Sequence, residues 1–425
     1  MDEGDHFVES DLSSKRSMSN KERCPVQPAL PDQCTEAVEI VDKDANSNQG
    51  PENGSAGEFL SEFVKKDAKF LEGVAGVNMV TSQPKLGQIQ RKCQEMAGWE
   101  KGGFPGSAPV SMDIRNLNFL RQNPYKVGLK TDGTRYMTLI DGRGEVYMID
   151  RDNTVFQVAN LDFPKRKDLS AHIRDTLVDG EMILDMVDGK SVPRYRYLIC
   201  DILRFEGLEV GKSHLDRRSF YIQTEIIGPR RTKIQQGMLD ENVSFSVHCN
   251  SFWELTKSKE LLEGKITNEI SHEVDGLIFQ PVSEPYRPGR CGDFLKWKPP
   301  ELNSVDFRLK IVKENKVGCL PETKGHLFVN GLESAFGEIK MTKELRQLDN
   351  KIIECMWDGK YWKYMRQRTD KSFPNNLETA EEVCKSIRNP VTQEMLLQTI
   401  RNERWIPSTG DDDIKPTPPP NISGH

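Results

Sequence analysis

The sequence predicts an α+β protein in two folded parts, a domain built on an antiparallel sheet followed by a small β-barrel. Two observations carry this. Between residues 101 and 302, short runs rich in Val, Ile, Tyr and Met follow one another too closely for the crossover helices that a parallel sheet needs. From Asn303 onward, about five more alternating runs with one helix candidate have the size and rhythm of a five-stranded barrel such as an OB-fold.

The chain has 425 residues, enough for two or three domains and a sizeable core. A net charge of −6 neither requires nor forbids a nucleic-acid partner, because a basic groove can sit beside acidic tails. The nine cysteines stand singly with no C-x-x-C pair, which predicts a reducing compartment and no zinc site. No run of about 18 apolar residues occurs and the acidic start, MDEGDHFVES, is not a secretory leader, so no membrane partner is expected.

Residues 1–100 read as a mostly disordered region and linker. The block SNQGPENGSAGE has no structural period, and only weak helical character runs from Glu62 to Met96. The domain at 101–302 opens on GGFPGSAPVSMD, with Ser111 as the expected N-cap of a short helix ended by Pro124. Strands are expected on both sides of residues 131–134, at 145–149, 155–158, 181–184, 197–202, 276–280 and 293–298. Helices are expected at 169–176, 215–227 and 252–263. The barrel and its C-terminal helices occupy 303–405, the helices split by Pro390, and a proline-rich tail fills 406–425.

The stretch 126–140 sets Lys130 between two β-prone runs, with Thr131-Asp132-Gly133-Thr134 as turn chemistry that reverses the backbone or brings it close to a ligand. A lysine so placed becomes a nucleophile when burial or neighbouring cations depress its pKa. Asp179-Gly180-Glu181 puts two carboxylates around a glycine before a strand, suited to a ribose hydroxyl or hydrated metal. Glu273 and Asp275 share a face if extended, as magnesium ligands would. Lys296 and Lys298 share a face with Trp297 on the other, an arrangement that calls for an anion between the ammonium groups. Arg366 and Arg368 offer fork geometry for phosphate, with Asp370 to orient one of them. Taken alone, the segments around Lys130, Asp179 and Glu273 read more readily as solvated turns, and 362–375 reads as readily as a charged strand face. A P-loop-like run, 206–213, has Glu206 where the first glycine is required and is set aside.

Taken in order, KTDGTR (130–135), DGEMILD (179–185), YRYLICDIL (195–203), EVDGLIFQP (273–281), DFLKWKPP (293–300) and RQRTDKSFPN (366–375) resemble the motifs of the covalent nucleotidyltransferases. The last two resemble those of eukaryotic, animal-type mRNA capping guanylyltransferases. The resemblance implies a ligase-type, ATP-grasp-like nucleotidyltransferase domain and an OB-fold lid that closes over GTP. It casts Lys130 as the nucleophile that takes GMP from GTP and passes it to the 5′-diphosphate end of nascent RNA. It implies GTP contacts from Arg135, Arg151, Asp179, Gly180, Glu181, Lys296, Trp297, Lys298 and the lid residues Arg366, Gln367, Arg368, Thr369, Asp370 and Lys371. Glu273 is the candidate ligand for Mg2+ or Mn2+. A nuclear location and the phosphorylated C-terminal domain of RNA polymerase II as partner follow from the same resemblance. An ATP-dependent polynucleotide ligase and a catalytically silent polymerase-docking scaffold are the alternatives. Two departures stand out. Cys200 occupies the place where these enzymes usually carry a base-stacking aromatic residue, and no H-C-x5-R triphosphatase signature follows His248-Cys249.

Overall fold

The computed structural model describes residues 69–186, 193–240, 244–265, 272, 274–314 and 322–407, all within one compact unit spanning 53–425. Of the regions expected to be unstructured, 1–100 and 406–425, residues 1–68 and 408–425 lie outside the described residues, as does Glu273.

The first part contains β1 (Val77–Met79), α1 (Lys85–Ala97), β2 (Ser107–Ser111), α2 (Phe119–Gln122), β3 (Tyr125–Thr131), β4 (Thr134–Ile140), β5 (Val146–Ile149) and β6 (Val155–Val158). It continues through β7 (Thr176–Met186), β8 (Pro193–Arg204), α3 (Leu215–Tyr221), α4 (Gly228–Gln235), β9 (Ser246–Cys249), β10 (Phe252–Glu254), α5 (Ser258–Leu262), β11 (Val274–Pro281) and β12 (Gly289–Trp297). These strands form two sheets, one of seven in the order β1-β6-β5-β4-β7-β8-β9 and one of five in the order β10-β3-β11-β12-β2. Both are mixed rather than antiparallel throughout, because β8 runs parallel to β9 and β12 parallel to β2.

The expected reversal after Lys130 is not a hairpin. Strand β3 lies between β10 and β11, whereas β4 lies between β5 and β7, so the chain crosses from one sheet to the other at residues 132–133. The apolar residues sort accordingly. Val127 and Leu129 pack with Leu277 and Phe279, while Tyr136 and Ile140 join the core around Phe156 and Ile199. The crossing is tight: a Cβ on Gly133 would stand 2.5 Å from the carbonyl oxygen of Met182, so only glycine fits there.

The folded body reaches back to at least Lys69, correcting the expected start at 101. Residues 77–79 pair with 156–158, Phe70 stacks on the Tyr136 and Phe156 rings, and α1 buries Ile89 and Cys93. Ser111 belongs to β2. Asp113 instead turns the chain, its Oδ1 accepting from the backbone N–H of Arg115 and Asn116 at 2.9 Å each. The helix expected at 169–176 is loop as far as Asp175, with Thr176 opening β7, the one at 215–227 extends through a π-helical stretch, Ile222–Ile227, into α4, and residues 252–254 are strand β10.

The second part is a closed barrel of β13 (Ser304–Glu314), β14 (Glu322–Phe328), β15 (Gly337–Ile339), β16 (Ile352–Trp357) and β17 (Trp362–Gln367), in the order β13-β14-β15-β17-β16. That is five strands in a Greek-key barrel, the OB-fold arrangement. Helices α6 (Leu377–Arg388) and α7 (Gln393–Glu403) follow, each N-capped as its first turn requires, by Asn376 and Thr392. Pro390, without an N–H to donate, falls in the gap between them. Only α6 belongs to the barrel core, through Ala380, Val383 and Cys384. Helix α7 returns to the first part, where Leu396 and Ile400 pack with Leu120, Leu255 and Trp297, so the expected domain limit at 405 runs past the barrel.

Candidate active site

Lys130 is the penultimate residue of β3 and sits opposite Gly276 of β11. The pairing register breaks between Val274 and Gly276, so Asp275 bulges toward the lysine. A Cβ on Gly276 would lie 2.1 Å from the carbonyl oxygen of Trp297, and that glycine is what allows the bulged strand to lie against β12. The result is a bridge. Asp275 Oδ1 is 2.8 Å from Lys130 Nζ and its Oδ2 is 2.7 Å from Lys298 Nζ. Sequence reasoning placed Asp275 beside Glu273 on one face but did not count it in the site; the alternation 273/275 was the signal.

Arg135, Arg151, Asp179, Gly180 and Glu181 line one cavity with Lys130. Arg135 is held before any ligand arrives: its Nε donates to Asp179 Oδ1 at 2.9 Å, its NH2 group to Asp179 Oδ2 and its NH1 group to the Ser107 carbonyl. Tyr286 Oη also donates to Asp179 Oδ2, at 2.6 Å. Asp179, expected on the sugar side, therefore has both oxygens engaged in fixing Arg135. Glu181 stands directly across from Arg135 in the β4–β7 register and accepts from Thr131 Oγ1. Burial raises its pKa against the opposing pull of Lys130. Arg151, in the turn between β5 and β6, is exposed at the edge of the cavity.

The Lys296-Trp297-Lys298 triplet divides. Trp297 does not line the cavity. It is 2% exposed in the core, and its Nε1–H donates to the carbonyl oxygen of Val391 at 2.7 Å. The alternation puts Lys296 and Lys298 on the other side of the strand from the indole; Lys298 pairs with Asp275, and neither lysine is part of the cavity lining. Burial, reinforced by the charges of Lys130, Lys298, Lys371 and Arg151, brings the Lys296 ammonium down to about 7.

Arg366, Gln367, Arg368, Thr369, Asp370 and Lys371 line a second cavity with Asp132, Gly133 and Thr134, so the two cavities meet at the turn that follows Lys130. Arg366 spans that junction. Its guanidinium donates to Asp132 Oδ2 at 2.8 Å and Oδ1 at 3.1 Å, and to Glu354 Oε2 at 2.7 Å. Burial works against the Asp132 carboxylate, but Arg366, helped by Lys130, outweighs it and holds the carboxyl below the usual range. Arg368 donates to Asp370 at 2.9 and 2.7 Å and to the buried Asp306 at 3.1 and 3.2 Å, and Lys371 also pairs with Asp306. Despite the burial that opposes it, Arg368 keeps Asp370 at about 2. Asp306 was missed because, between Val305 and Phe307, it reads only as an outward strand position. Lys212 of the P-loop-like run is exposed and pairs with Glu209.

Residues 71–300 match the family model of the mRNA capping enzyme catalytic domain, and 302–397 match that of its C-terminal domain. The chain belongs to the mRNA capping enzyme family. It is 52% identical over 370 residues to the mRNA-capping enzyme of Danio rerio, covering 86% of this chain and 61% of that one. It is 51% identical over 419 residues to the enzyme of Mus musculus, covering 95% and 70%. With the Caenorhabditis elegans enzyme it shares 42% over 360 residues, covering 82% and 57%. The chain thus spans between 57% and 70% of the length of these relatives. The two capping-enzyme matches abut at residues 300–302, the turn Pro300–Leu302 through which the sheets hand over to the barrel. Among the described residues, no helix is long and apolar enough to cross a membrane.

Proposed function

We propose that this chain is a GTP:RNA guanylyltransferase working through a covalent lysyl–GMP intermediate. The observation that supports it most is Lys130 Nζ, at the end of its strand in a cavity it shares with Arg135 and Arg151, joined through Asp275 to Lys298 and close to Lys296. Lys130 Nζ attacks the α-phosphorus, a P–N bond forms, and the P–O bond to pyrophosphate breaks. Asp275 Oδ1 lies 2.8 Å from Nζ but out of hydrogen-bond alignment, so it would have to turn slightly to receive the proton Lys130 gives up. In the second half-reaction an oxygen of the RNA 5′-diphosphate end attacks the same phosphorus and Lys130 leaves. Phosphoryl transfer depends on positioning and charge neutralisation, which a cation-rich cavity with a prefixed arginine supplies.

A divalent metal, Mg2+ or Mn2+, would neutralise phosphate charge. Magnesium needs only one or two carboxylates besides phosphate oxygens, and Glu273 remains the candidate, with Asp275, two positions further along the chain, the described carboxylate. The nucleus, where polymerase II with its phosphorylated C-terminal domain makes the acceptor RNA, is the compartment this reading requires. Membership of the capping family disfavours the ligase alternative. The silent-scaffold alternative is met by experiment: purified protein given α-phosphate-labelled nucleotide with Mg2+ or Mn2+ should take covalent label from GTP that survives alkali and is released by acid, as a P–N bond requires. Label from ATP and not GTP, or no label at all, would sink the proposal.

The Lys296 environment gives a pH signature. Because its ammonium titrates near 7 in the free protein and phosphate would hold it charged, GTP binding above that pH takes up a proton, so affinity falls as pH rises. Calorimetry of GTP binding at pH 8 in buffers of different ionisation enthalpy should show proton uptake that is reduced in Lys296→Met. Identical uptake in the two proteins would remove Lys296 from the phosphate site.

A further inference from the structure

At position 200 the cavity wall carries a thiol instead of a ring. Burial, followed by the charges of Glu181 and Asp179, keeps the Cys200 thiol protonated, and the side-chain amide of Asn250 approaches its sulfur at 3.7 Å. Tyr197 cannot substitute. It is fully buried, and its hydroxyl donates to the Tyr136 carbonyl at 2.9 Å.

The opposite wall offers a different surface. Across three neighbouring strands the register aligns Phe252 of β10 with Gly128 of β3, and Gly128 with Ile278 of β11. Residues aligned this way share a face of the sheet, and both Phe252 and Ile278 line the cavity. Gly128 is what joins them. A Cβ there would lie 3.1 and 3.2 Å from carbons of the Phe252 ring, so the absence of a side chain lets the ring settle over the strand beside Ile278. Lys130 is two residues along β3 from Gly128 and so projects from the same face. An apolar platform and the nucleophile thus stand one β-repeat apart, about 7 Å.

We infer that Phe252, with Ile278 beside it over Gly128, is the stacking platform for the base of the bound nucleotide, in place of the aromatic residue that Cys200 does not supply. This rests on the reading that the cavity takes a guanine nucleotide. A base on this platform has its phosphates directed toward Lys130 and the arginines. Phe252 acts through the base alone, so it should contribute to nucleotide affinity and nothing to the holding of phosphates.

The test is self-labelling of the full chain with α-phosphate-labelled GTP, with inorganic tripolyphosphate as a competing inhibitor that has no base. Phe252→Leu should raise the KM for GTP about tenfold, the order expected for loss of one base–aromatic stack, and leave inhibition by tripolyphosphate unchanged. Phe252→Trp should stay near wild type. An unchanged KM in Phe252→Leu, or an equal weakening of tripolyphosphate, would overturn the platform. Wild-type protein that takes label from ATP and not GTP would instead overturn the guanylyltransferase reading, whatever the Phe252 variants do.

Discussion

Replacing Lys130 with alanine is expected to abolish covalent attachment of GMP, below detection in a gel assay that shows label on the wild type. No other described lysine combines its features. Lys296 is crowded by cations and Lys298 is held on the far oxygen of Asp275, while Lys130 Nζ shares the cavity with Arg135 and Arg151. Lys130→Arg should fail as completely, because a guanidinium keeps its charge and offers no lone pair for attack. Neither change should greatly affect stability. The lysine side chain is 22% exposed, and Asp275 keeps Lys298 as partner when Lys130 is gone. The melting temperature should move by no more than a few degrees, the range for a partly exposed ion pair. Residual labelling by well-folded Lys130→Ala would place the nucleophile elsewhere.

Arg366→Ala is expected to slow formation of the lysyl–GMP intermediate by about 2–4 kcal/mol of transition-state stabilisation, the loss seen when one preorganised charge donor is removed. Arg366 belongs to the barrel yet grips Asp132, two residues from Lys130, so it works only while the barrel rests on the nucleotide domain. Transfer of GMP from preformed intermediate to RNA should suffer less, since pyrophosphate has left and the barrel has moved off. Single-turnover kinetics of the two steps, measured separately, decides the matter. Equal losses would mean that Arg366 acts in both steps, and the moving-lid account would have to be abandoned. Since the side chain is 48% exposed and the buried Glu354 keeps Ser304 and Arg368 as partners, the change should alter global stability by only about 0–1 kcal/mol.

What the sequence revealed depended on how far apart the deciding partners lie. The strand at 155–158 is found where its alternation places it, and the run at 276–280 lies inside β11, because apolar periodicity is written into the segment itself. The helix expected at 169–176 failed for a local reason with a distant component. Asp168 turns the chain by accepting from the Ser170 N–H, and His172 Nε2 accepts from the Phe163 N–H, so the backbone is tied into a loop. Residues 252–254 looked helical because their strand partner, β3, lies more than a hundred residues earlier. The same distance hid the split between β3 and β4. In the site, motif lysines and arginines were legible because charge at fixed spacing is local. Asp306, and the inward turn of Trp297, emerge only once sheet and barrel are assembled.

The return of α7 to the first part governs how the barrel can travel. The chain leaves the nucleotide domain just after Trp297 and comes back at Val391, and those two points are joined by the indole hydrogen bond. Exit and return are therefore two loop segments side by side, and α6 adds ties of its own, Ser386 Oγ donating to the Met112 carbonyl at 3.3 Å and Arg290 Nε pairing with Glu378 at 3.2 Å. A body held at two adjacent points is more restricted than one on a single tether, and any opening of the barrel must also break the contacts of α6. Arg366 released from Asp132 therefore stays at an effective concentration that a single flexible tether of the same length would not maintain.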